Sequence, residues 1–283
     1  MAEIISGKIV SEKLRSEIRS EVAALKEEIG RAPGLAVIVV GSDPASAVYV
    51  RNKHKACLDV GIESYQIEYP DGIEESKLLE NIDELNSDDS VDGILVQLPL
   101  PKNISEEKVI ARISPHKDVD AFHPVNVGKI TIGNYSFLPC TPSGIISLMD
   151  HYGVEISGKR CVVIGRSNIV GKPMALLLTE RHGTVTLCHS RTKDLESICR
   201  EADIIVVAIG KAEFLKAHMV KPGAVVIDVG INRLESGKLV GDVAFDEVSQ
   251  VASMITPVPG GVGPMTITTL LKNTLIAAKM HKM

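Results

Sequence analysis

A lysine in the first third of the sequence falls on an otherwise apolar helix face. Residues 42–62 predict a helix that is capped by Asp43 and ended by Gly61. One stripe of this helix carries Tyr49, Lys53, Ala56, Cys57 and Val60. Because burial disfavours a charged ammonium group, a lysine placed this way can exchange protons near neutral pH. A side chain that snorkels out from the edge of the core is the alternative interpretation.

Three further polar side chains lie in or after a predicted buried strand, GILVQLPL, which starts at Gly93. Gln97 is its single polar side chain, and a buried amide needs hydrogen-bond partners, from backbone or from a bound ligand. The next segment, PHKDVDAFHP, contains Asp118 and Asp120, whose spacing places both carboxylates on one side if the segment is extended. One carboxylate is expected to cap backbone and the other to bind a ligand. No metal site is expected, because the neighbouring histidines do not match a known ligand spacing.

The second half of the chain contains a strand, loop and helix typical of phosphate binding, CVVIG-RSNIVG-KPMALLL. Backbone amides between Gly165 and Gly171, with the helix N-terminus, favour a pyrophosphate, although the spacing is not GxGxxG. An NAD site places an acidic residue after the next strand, whereas this chain has Ser190 and Arg191 there. With Arg166 and Ser167 in the first loop, these groups favour the 2′-phosphate of NADP. Two ordinary surface arginines are the alternative.

Glycines follow two more predicted strands of this half, Gly210 after DIIVVAI and Gly230 after AVVIDV. Glycine at the carboxyl edge of a parallel sheet lets backbone approach a ligand closely, so Ile231 is expected to touch the nicotinamide end of the cofactor. The segment PVPGGVGP, residues 257–264, contains only Pro, Gly and Val and is suited to lining a pocket with main-chain groups.

Short apolar runs alternate with helical patterns almost throughout, which predicts an α/β protein with parallel sheets. Residues 1–140 are predicted to form a first α/β domain, which a C-terminal helix at about 265–283 joins. Residues 141–264 are predicted to form a second domain, with Thr141 capping its first helix ahead of Pro142. Each domain is expected to have three layers.

Composition excludes several classes of protein. The chain has 283 residues, 45% hydrophobic and 24% charged, and a formal net charge of −5. An acidic chain with 3% aromatic residues and no Trp is a poor candidate for binding nucleic acid or an anionic membrane. Five scattered cysteines without a CxxC pair indicate reduced thiols, and the N-terminus lacks a signal pattern, so a cytoplasmic location is expected.

Taken together and in order, seven motifs resemble the bifunctional methylenetetrahydrofolate dehydrogenase/cyclohydrolase family: YVRNKHKACLDVGI, GILVQLPLP, KDVDAFHP, PCTPSG, GRSNIVGKP, VIDVGINR and PVPGGVGPMT. The resemblance implies a Rossmann-like second domain that binds NADP, an active site in the cleft between the domains, and a homodimer. It also implies oxidation of methylenetetrahydrofolate by NADP, followed by hydrolysis to 10-formyltetrahydrofolate.

The resemblance assigns roles to individual residues. Lys53 matches the catalytic lysine, and Gln97 matches the amide that holds it by a hydrogen bond. Tyr49 would stack on the folate, and Asp120 would bind the amino and ring nitrogens of the pterin. Further matches are substrate contacts at Gly263 and Pro264, and cofactor contacts at Gly165, Arg166, Ser167, Ser190, Arg191 and Ile231.

The chain departs from the family pattern at one position, where Ala121 stands in place of the usual glycine. If the backbone requires a positive φ there, alanine introduces strain of about 1 kcal/mol. Three rival functions remain open: a dehydrogenase of the same fold with little cyclohydrolase activity, a shikimate-like or hydroxy-acid dehydrogenase that uses NADP, and a silent NADP-binding sensor.

Overall fold

The computed structural model describes residues 1–41 and 44–281, and the side chains of residues 44–47 are not described. The predicted cap Asp43 therefore lies outside the described residues. The chain divides into two compact units. Lys13–Cys140 and Ile267–Met283 form what we call the three-stranded unit, and Met1–Glu12 and Thr141–Thr266 form the six-stranded unit.

The elements up to residue 140 are, in chain order, β1 (Glu3–Ile4), α1 (Gly7–Ile29), β2 (Gly34–Val40), α2 (Pro44–Val60), β3 (Glu63–Tyr69), α3 (Glu75–Ser87), β4 (Gly93–Val96), α4 (Glu106–Arg112) and α5 (Pro124–Thr131). The three-stranded unit has a parallel sheet in the order β3-β2-β4. Every residue of the central strand β2 is buried, as its unbroken apolar sequence predicts for a strand covered on both faces.

The remaining elements are α6 (Cys140–His151), β5 (Arg160–Ile164), α7 (Gly171–Glu180), β6 (Thr184–Cys188), α8 (Leu195–Arg200), β7 (Ile204–Val207), a short 3₁₀ helix (Ala217–Met219), β8 (Val225–Asp228), β9 (Asn232–Arg233), β10 (Leu239–Val240), α9 (Phe245–Val248), β11 (Met254–Ile255) and α10 (Val262–His281). The six-stranded unit has a parallel sheet in the order β1-β11-β8-β7-β5-β6, and β9 pairs with β10 in a separate hairpin.

The N-terminus differs from the sequence-based prediction. Residues 1–12 were expected in the first domain, but they belong to the six-stranded unit. The reason is β1, whose two residues pair in parallel with β11, Glu3 opposite Met254 and Ile4 opposite Ile255. A two-residue strand has no periodicity of its own, so only its distant partner reveals it.

Two helix starts also differ. Helix α6 begins at Cys140, so Thr141 lies within it and is not the predicted cap; its hydroxyl instead forms a hydrogen bond of 2.9 Å with that of Thr266. Helix α10 begins at Val262, which places Gly263 and Pro264 in its first turn. Among residues 1–41 and 44–281, no helix combines the length and the apolar character needed to cross a membrane.

Candidate active site

Lys53 is buried in the three-stranded unit and has a polar partner. Its side chain lies on α2 with 8% of its surface exposed, whereas Arg51 and Lys55 on the same helix are exposed. The Nζ atom of Lys53 donates to Oε1 of Gln97 at 3.0 Å. The Nε2 atom of Gln97 in turn donates to the carbonyl of Leu98 at 2.8 Å. The amide that the resemblance pairs with the lysine is therefore in contact with it.

The end of β4 places Gln97 at this position. The strand stops at Val96, earlier than the predicted GILVQLPL, because Pro99 and Pro101 have no backbone N–H for a sheet ladder. The amide of Gln97 still donates to the carbonyl of Ile38 on β2 at 2.8 Å. Gln97 thus extends beyond the carboxyl edge of the sheet while its backbone remains fixed to it.

The two aspartates of the next segment have different surroundings. Asp118 forms a parallel bridge with Ile94 of β4, and its carboxylate accepts from the amides of Phe122 and His123 and from Nδ2 of Asn126. Asp118 is thus the residue that caps backbone. Burial raises the pKa of its carboxyl, and these hydrogen bonds oppose that rise.

Asp120 lies two residues further along, near the lysine. Burial raises the pKa of the Asp120 carboxyl, while the positive charge of Lys53 and a hydrogen bond from the Cys140 thiol lower it. Asp120 is therefore a carboxylate held close to a cation, and the thiol of Cys140 next to it donates to the carbonyl of Val119 at 3.5 Å. Tyr49 is half-buried one helical turn before Lys53, and desolvation raises the pKa of its phenol, which keeps the hydroxyl protonated.

Ala121 has a positive φ, the backbone conformation in which the sequence analysis predicts strain for alanine. Its φ is +58°, in the left-handed region, and its side chain is fully buried. Val119, two residues earlier, is held by a hydrogen bond from buried Asn273 of α10. The Nδ2 atom of Asn273 donates to the carbonyls of Val119 and Leu138 at 2.8 and 2.9 Å. Cys140 and Asn273 were not identified as site residues from the sequence: Cys140 lies in the motif PCTPSG but was given no role, and Asn273 lies in a helix outside every quoted motif.

The carboxyl edge of the six-stranded sheet contains the predicted phosphate loop. Ile164 and Cys188 are register partners at the ends of β5 and β6, so Arg166 and Ser190, each two residues beyond, leave the sheet side by side. Gly165 has a φ of +124°, and a Cβ atom there would lie 2.2 Å from the carbonyl oxygen of Ala208. This first turn therefore requires glycine.

The loop groups fit a phosphorylated ligand. The Oγ of Ser167 accepts from the amides of Val170 and Gly171 at the start of α7, which leaves its hydroxyl proton available for an anion. Arg166, Ser190 and Arg191 are exposed, and among the described residues neither arginine forms an ion pair. Two available cations and a helix N-terminus are the groups that a dinucleotide phosphate needs.

Two neighbouring strands of the same unit end in the predicted glycines. Val207 of β7 is paired with Asp228 of β8, so the segments that contain Gly210 and Gly230 leave the same edge of the sheet. Ile231, after Gly230, is 45% exposed, and a Cβ atom on Gly263 would lie 3.8 Å from its Cδ1. The predicted Gly263 is thus next to the predicted cofactor contact.

Comparison with known proteins matches both halves of the chain. Residues 5–120 match the catalytic domain of tetrahydrofolate dehydrogenase/cyclohydrolase, and residues 139–282 match its NAD(P)-binding domain. A protein named bifunctional protein FolD from Acetivibrio thermocellus is 61% identical over 280 residues, which are 99% of this chain and 98% of that protein.

Two solved structures are also similar over their whole length. The bifunctional FolD of Campylobacter jejuni shares 50% identity and a TM-score of 0.97, covering 99% of each chain. A methylenetetrahydrofolate dehydrogenase-cyclohydrolase of Trypanosoma brucei, solved with NADP and an inhibitor, shares 41% identity and a TM-score of 0.95, covering 99% of this chain and 98% of that one. These matches confirm the resemblance found in the sequence: the chain belongs to the tetrahydrofolate dehydrogenase/cyclohydrolase family and is a bifunctional dehydrogenase and cyclohydrolase with an NAD(P)-binding domain.

Proposed function

We propose that this chain oxidises methylenetetrahydrofolate to the methenyl compound with NADP, and hydrolyses that product to 10-formyltetrahydrofolate through Lys53. The observation that carries the hydrolytic half is the hydrogen bond from the buried Lys53 to Gln97, with Asp120 close enough for its charge to interact with the lysine. A dehydrogenase without hydrolytic activity has no need of a lysine held in this way.

In the hydrolysis, Lys53 is proposed to act on the attacking water. The water oxygen bonds to the methenyl carbon, and the Lys53 ammonium gives a proton to N5 as the bond from that carbon to N5 breaks. Lys53 regains a proton from the water oxygen, and the second proton of that water is released to solvent as the formyl C=O forms. A side chain that accepts and returns a proton accelerates such a step by about 10²- to 10⁴-fold. Gln97 is the positioning group, since its contact restricts the otherwise flexible lysine side chain.

For substrate binding, we assign Asp120 to the N–H groups of the pterin and Tyr49 to stacking on its ring. The lysine cation opposes the rise in the Asp120 pKa that burial causes, which favours the carboxylate that accepts two N–H donors. Gly263 and Pro264 are further proposed substrate contacts.

NADP would accept the hydride from the folate. The cofactor contacts we propose are Gly165, Arg166, Ser167, Ser190, Arg191 and Ile231. Arg166, Ser190 and Arg191 would bind the 2′-phosphate, because they are exposed groups that can donate to a phosphate. Ser167 and the amides of the first loop would bind the pyrophosphate, and Ile231 would contact the nicotinamide.

The assembly and location of the chain are separate proposals. The resemblance implies a homodimer joined through the NADP-binding units, and sedimentation velocity at micromolar concentration tests it. Five free cysteines, all buried, are consistent with a reducing compartment, which favours the cytoplasm. We propose no nucleic-acid or membrane partner, given the net charge of −5.

A coupled spectroscopic assay tests the proposed function. Purified protein is supplied with methylenetetrahydrofolate and either NADP or NAD, and the methenyl and formyl products are followed separately. We expect both products, with NADP preferred. Accumulation of the methenyl compound without hydrolysis would refute the role of Lys53, and a preference for NAD would refute the assignment of Arg166, Ser190 and Arg191.

A further inference from the structure

The carboxyl edge of the six-stranded sheet is built around a buried carboxylate that no cofactor motif includes. Asp242 is fully buried, directly after the hairpin of β9 and β10. Its Oδ2 accepts from the amides of Ile209 and Gly210 at 2.7 and 2.9 Å. Its Oδ1 accepts from Nδ2 of Asn232 at 2.9 Å. One carboxylate therefore connects the loop after β7 with the loop after β8.

A second buried carboxylate holds Asp242 itself in place. Asp228, at the end of β8, accepts from the amides of Gly230 and Asp242 on Oδ1 at 3.0 and 2.8 Å. Its Oδ2 accepts from the amide of Val243 at 3.0 Å. The backbone amides of Asp242 and Val243 are therefore fixed. This orients the Asp242 carboxylate towards the two loops that it contacts.

The glycines around this pair show how closely the groups are packed. A Cβ atom on Gly230 would lie 2.2 Å from Oδ1 of Asp242, and a Cβ atom on Gly241 would lie 1.7 Å from Oδ2 of Asp228. Glycine after β8 thus allows backbone to approach the carboxylate, in addition to any approach to a ligand. Ile231 stands between Gly230 and Asn232, both of which contact the pair, so its backbone is held from both sides.

We propose that Asp242 is a positioning residue for the cofactor: it fixes the backbone at Gly210 and, through the side chain of Asn232, the segment that carries Ile231, without touching the cofactor itself. The nicotinamide half of NADP binds against these two segments. This inference rests on the proposed function, which places the cofactor at this edge of the sheet. Removing the carboxylate leaves two backbone amides and the Asn232 amide without their acceptor, and unsatisfied buried donors favour rearranged loops.

The test compares Asp242→Ala, Asp242→Asn and Asn232→Ala with the control Asp246→Ala, which removes an exposed carboxylate of the same unit. Two readouts are measured for each: kcat and KM for NADP in methylene oxidation, and the rate of methenyl hydrolysis without NADP. Hydrolysis uses Lys53 of the other unit, so it reports whether that unit remains intact, and kcat at saturating NADP reports the unit that carries Asp242.

We expect Asp242→Ala to raise the KM for NADP about tenfold or more and to leave hydrolysis within about twofold of the wild type. Asp242→Asn should stay within about threefold in KM, because its amide oxygen can still accept from both backbone amides and Asn232 can reverse its own amide. Asn232→Ala removes a half-buried group and should raise KM about threefold.

An unchanged KM in Asp242→Ala would overturn the inference, as would a parallel loss of oxidation and hydrolysis, which indicates a purely structural role. If Asp242→Ala does not fold, Asn232→Ala decides, and an unchanged KM in that variant overturns the inference. A wild type without NADP-dependent oxidation would instead refute the proposed function.

Discussion

The two sheet edges at which we place ligands are built in opposite ways. In the three-stranded unit the reactive groups are buried or half-buried side chains that interact with one another: Lys53 donates to Gln97, and its charge acts on Asp120. In the six-stranded unit the buried groups shape backbone, whereas the groups assigned to the ligand, such as Arg166 and Arg191, are exposed.

This difference follows from the chemistry proposed for each sheet edge, proton transfer at one and dinucleotide binding at the other. Moving a proton needs a group whose charge is sensitive to its surroundings, and burial supplies that sensitivity. Binding a dinucleotide needs a fixed backbone contour and cations that remain available until the ligand arrives. The same α/β architecture meets both needs because its strand ends gather residues from distant parts of the sequence.

Replacement of the buried lysine should have the largest effect. Lys53→Met keeps an unbranched side chain one atom shorter than lysine but cannot exchange a proton, so methenyl hydrolysis should fall by about 10²- to 10⁴-fold. NADP binding, measured by isothermal titration, should be unchanged because Lys53 lies in the other unit. Lys55→Met, an exposed neighbour on α2, is the control and should hydrolyse normally. Normal hydrolysis by Lys53→Met would show that the buried lysine does not transfer the proton, and the proposed chemical difference between the two sheet edges would fail.

The buried carboxyl Asp228 provides a pH-dependent test of the six-stranded unit. Burial raises the pKa of Asp228 to about 6, against an ordinary value of 3.8. The folded protein therefore binds this proton more tightly than the unfolded chain does. The contribution of Asp228 to the free energy of unfolding is highest below pH 4, falls as pH rises towards 6, and is constant above; the total fall is about 3 kcal/mol.

Asp228→Asn cannot titrate, so its free energy of unfolding should rise relative to the wild type by about 3 kcal/mol between pH 3 and pH 7, in urea titrations. Asp203→Asn should show the opposite sign, and at lower pH: Lys221 lowers the pKa of Asp203, so this carboxylate stabilises the fold above its ordinary pKa of 3.8 and loses that contribution as pH falls below about 4. A difference between Asp228→Asn and wild type that does not vary with pH would contradict the assigned burial cost.

Removal of the loop arginine should affect one cofactor only. Arg166→Ala should raise the KM for NADP by about 10- to 100-fold, the loss expected for hydrogen bonds between charged groups. The KM for NAD, which has no 2′-phosphate, should change by less than about twofold. Arg200→Ala, an exposed arginine of the same unit, is the control. Equal losses for NADP and NAD would show that Arg166 does not distinguish the cofactors.

The smallest effect is expected at Ala121. Ala121→Gly relieves strain of about 1 kcal/mol at φ +58°. It also removes a buried methyl group, worth about 0.8 kcal/mol, and adds about 0.5–1 kcal/mol of unfolded-chain flexibility. The free energy of unfolding should therefore change by less than about 1 kcal/mol. Stabilisation by more than about 2 kcal/mol in a denaturant titration would show that the strain is larger than this sum allows.

The sequence predicted the parts of the fold that local patterns control. Continuous apolar runs indicated the parallel strands, and one helical stripe placed Lys53 in the core, where the structure has it. Features that depend on distant partners were not predicted. Strand β1 exists because β11 lies beside it, about 250 residues away, and Asp242 appears in the sequence as an ordinary loop carboxylate. Its burial is visible only once the ends of β7 and β8 are adjacent.

The central claim is that one sheet edge carries out hydrolysis and the other binds NADP. It can be tested most directly by comparing Lys53→Met with Arg166→Ala. Each variant is assayed for methenyl hydrolysis without cofactor and for NADP binding by isothermal titration. We predict that Lys53→Met loses hydrolysis and binds NADP normally, while Arg166→Ala hydrolyses normally and binds NADP weakly. Loss of both properties in either variant, or hydrolysis that survives in Lys53→Met, would contradict the account.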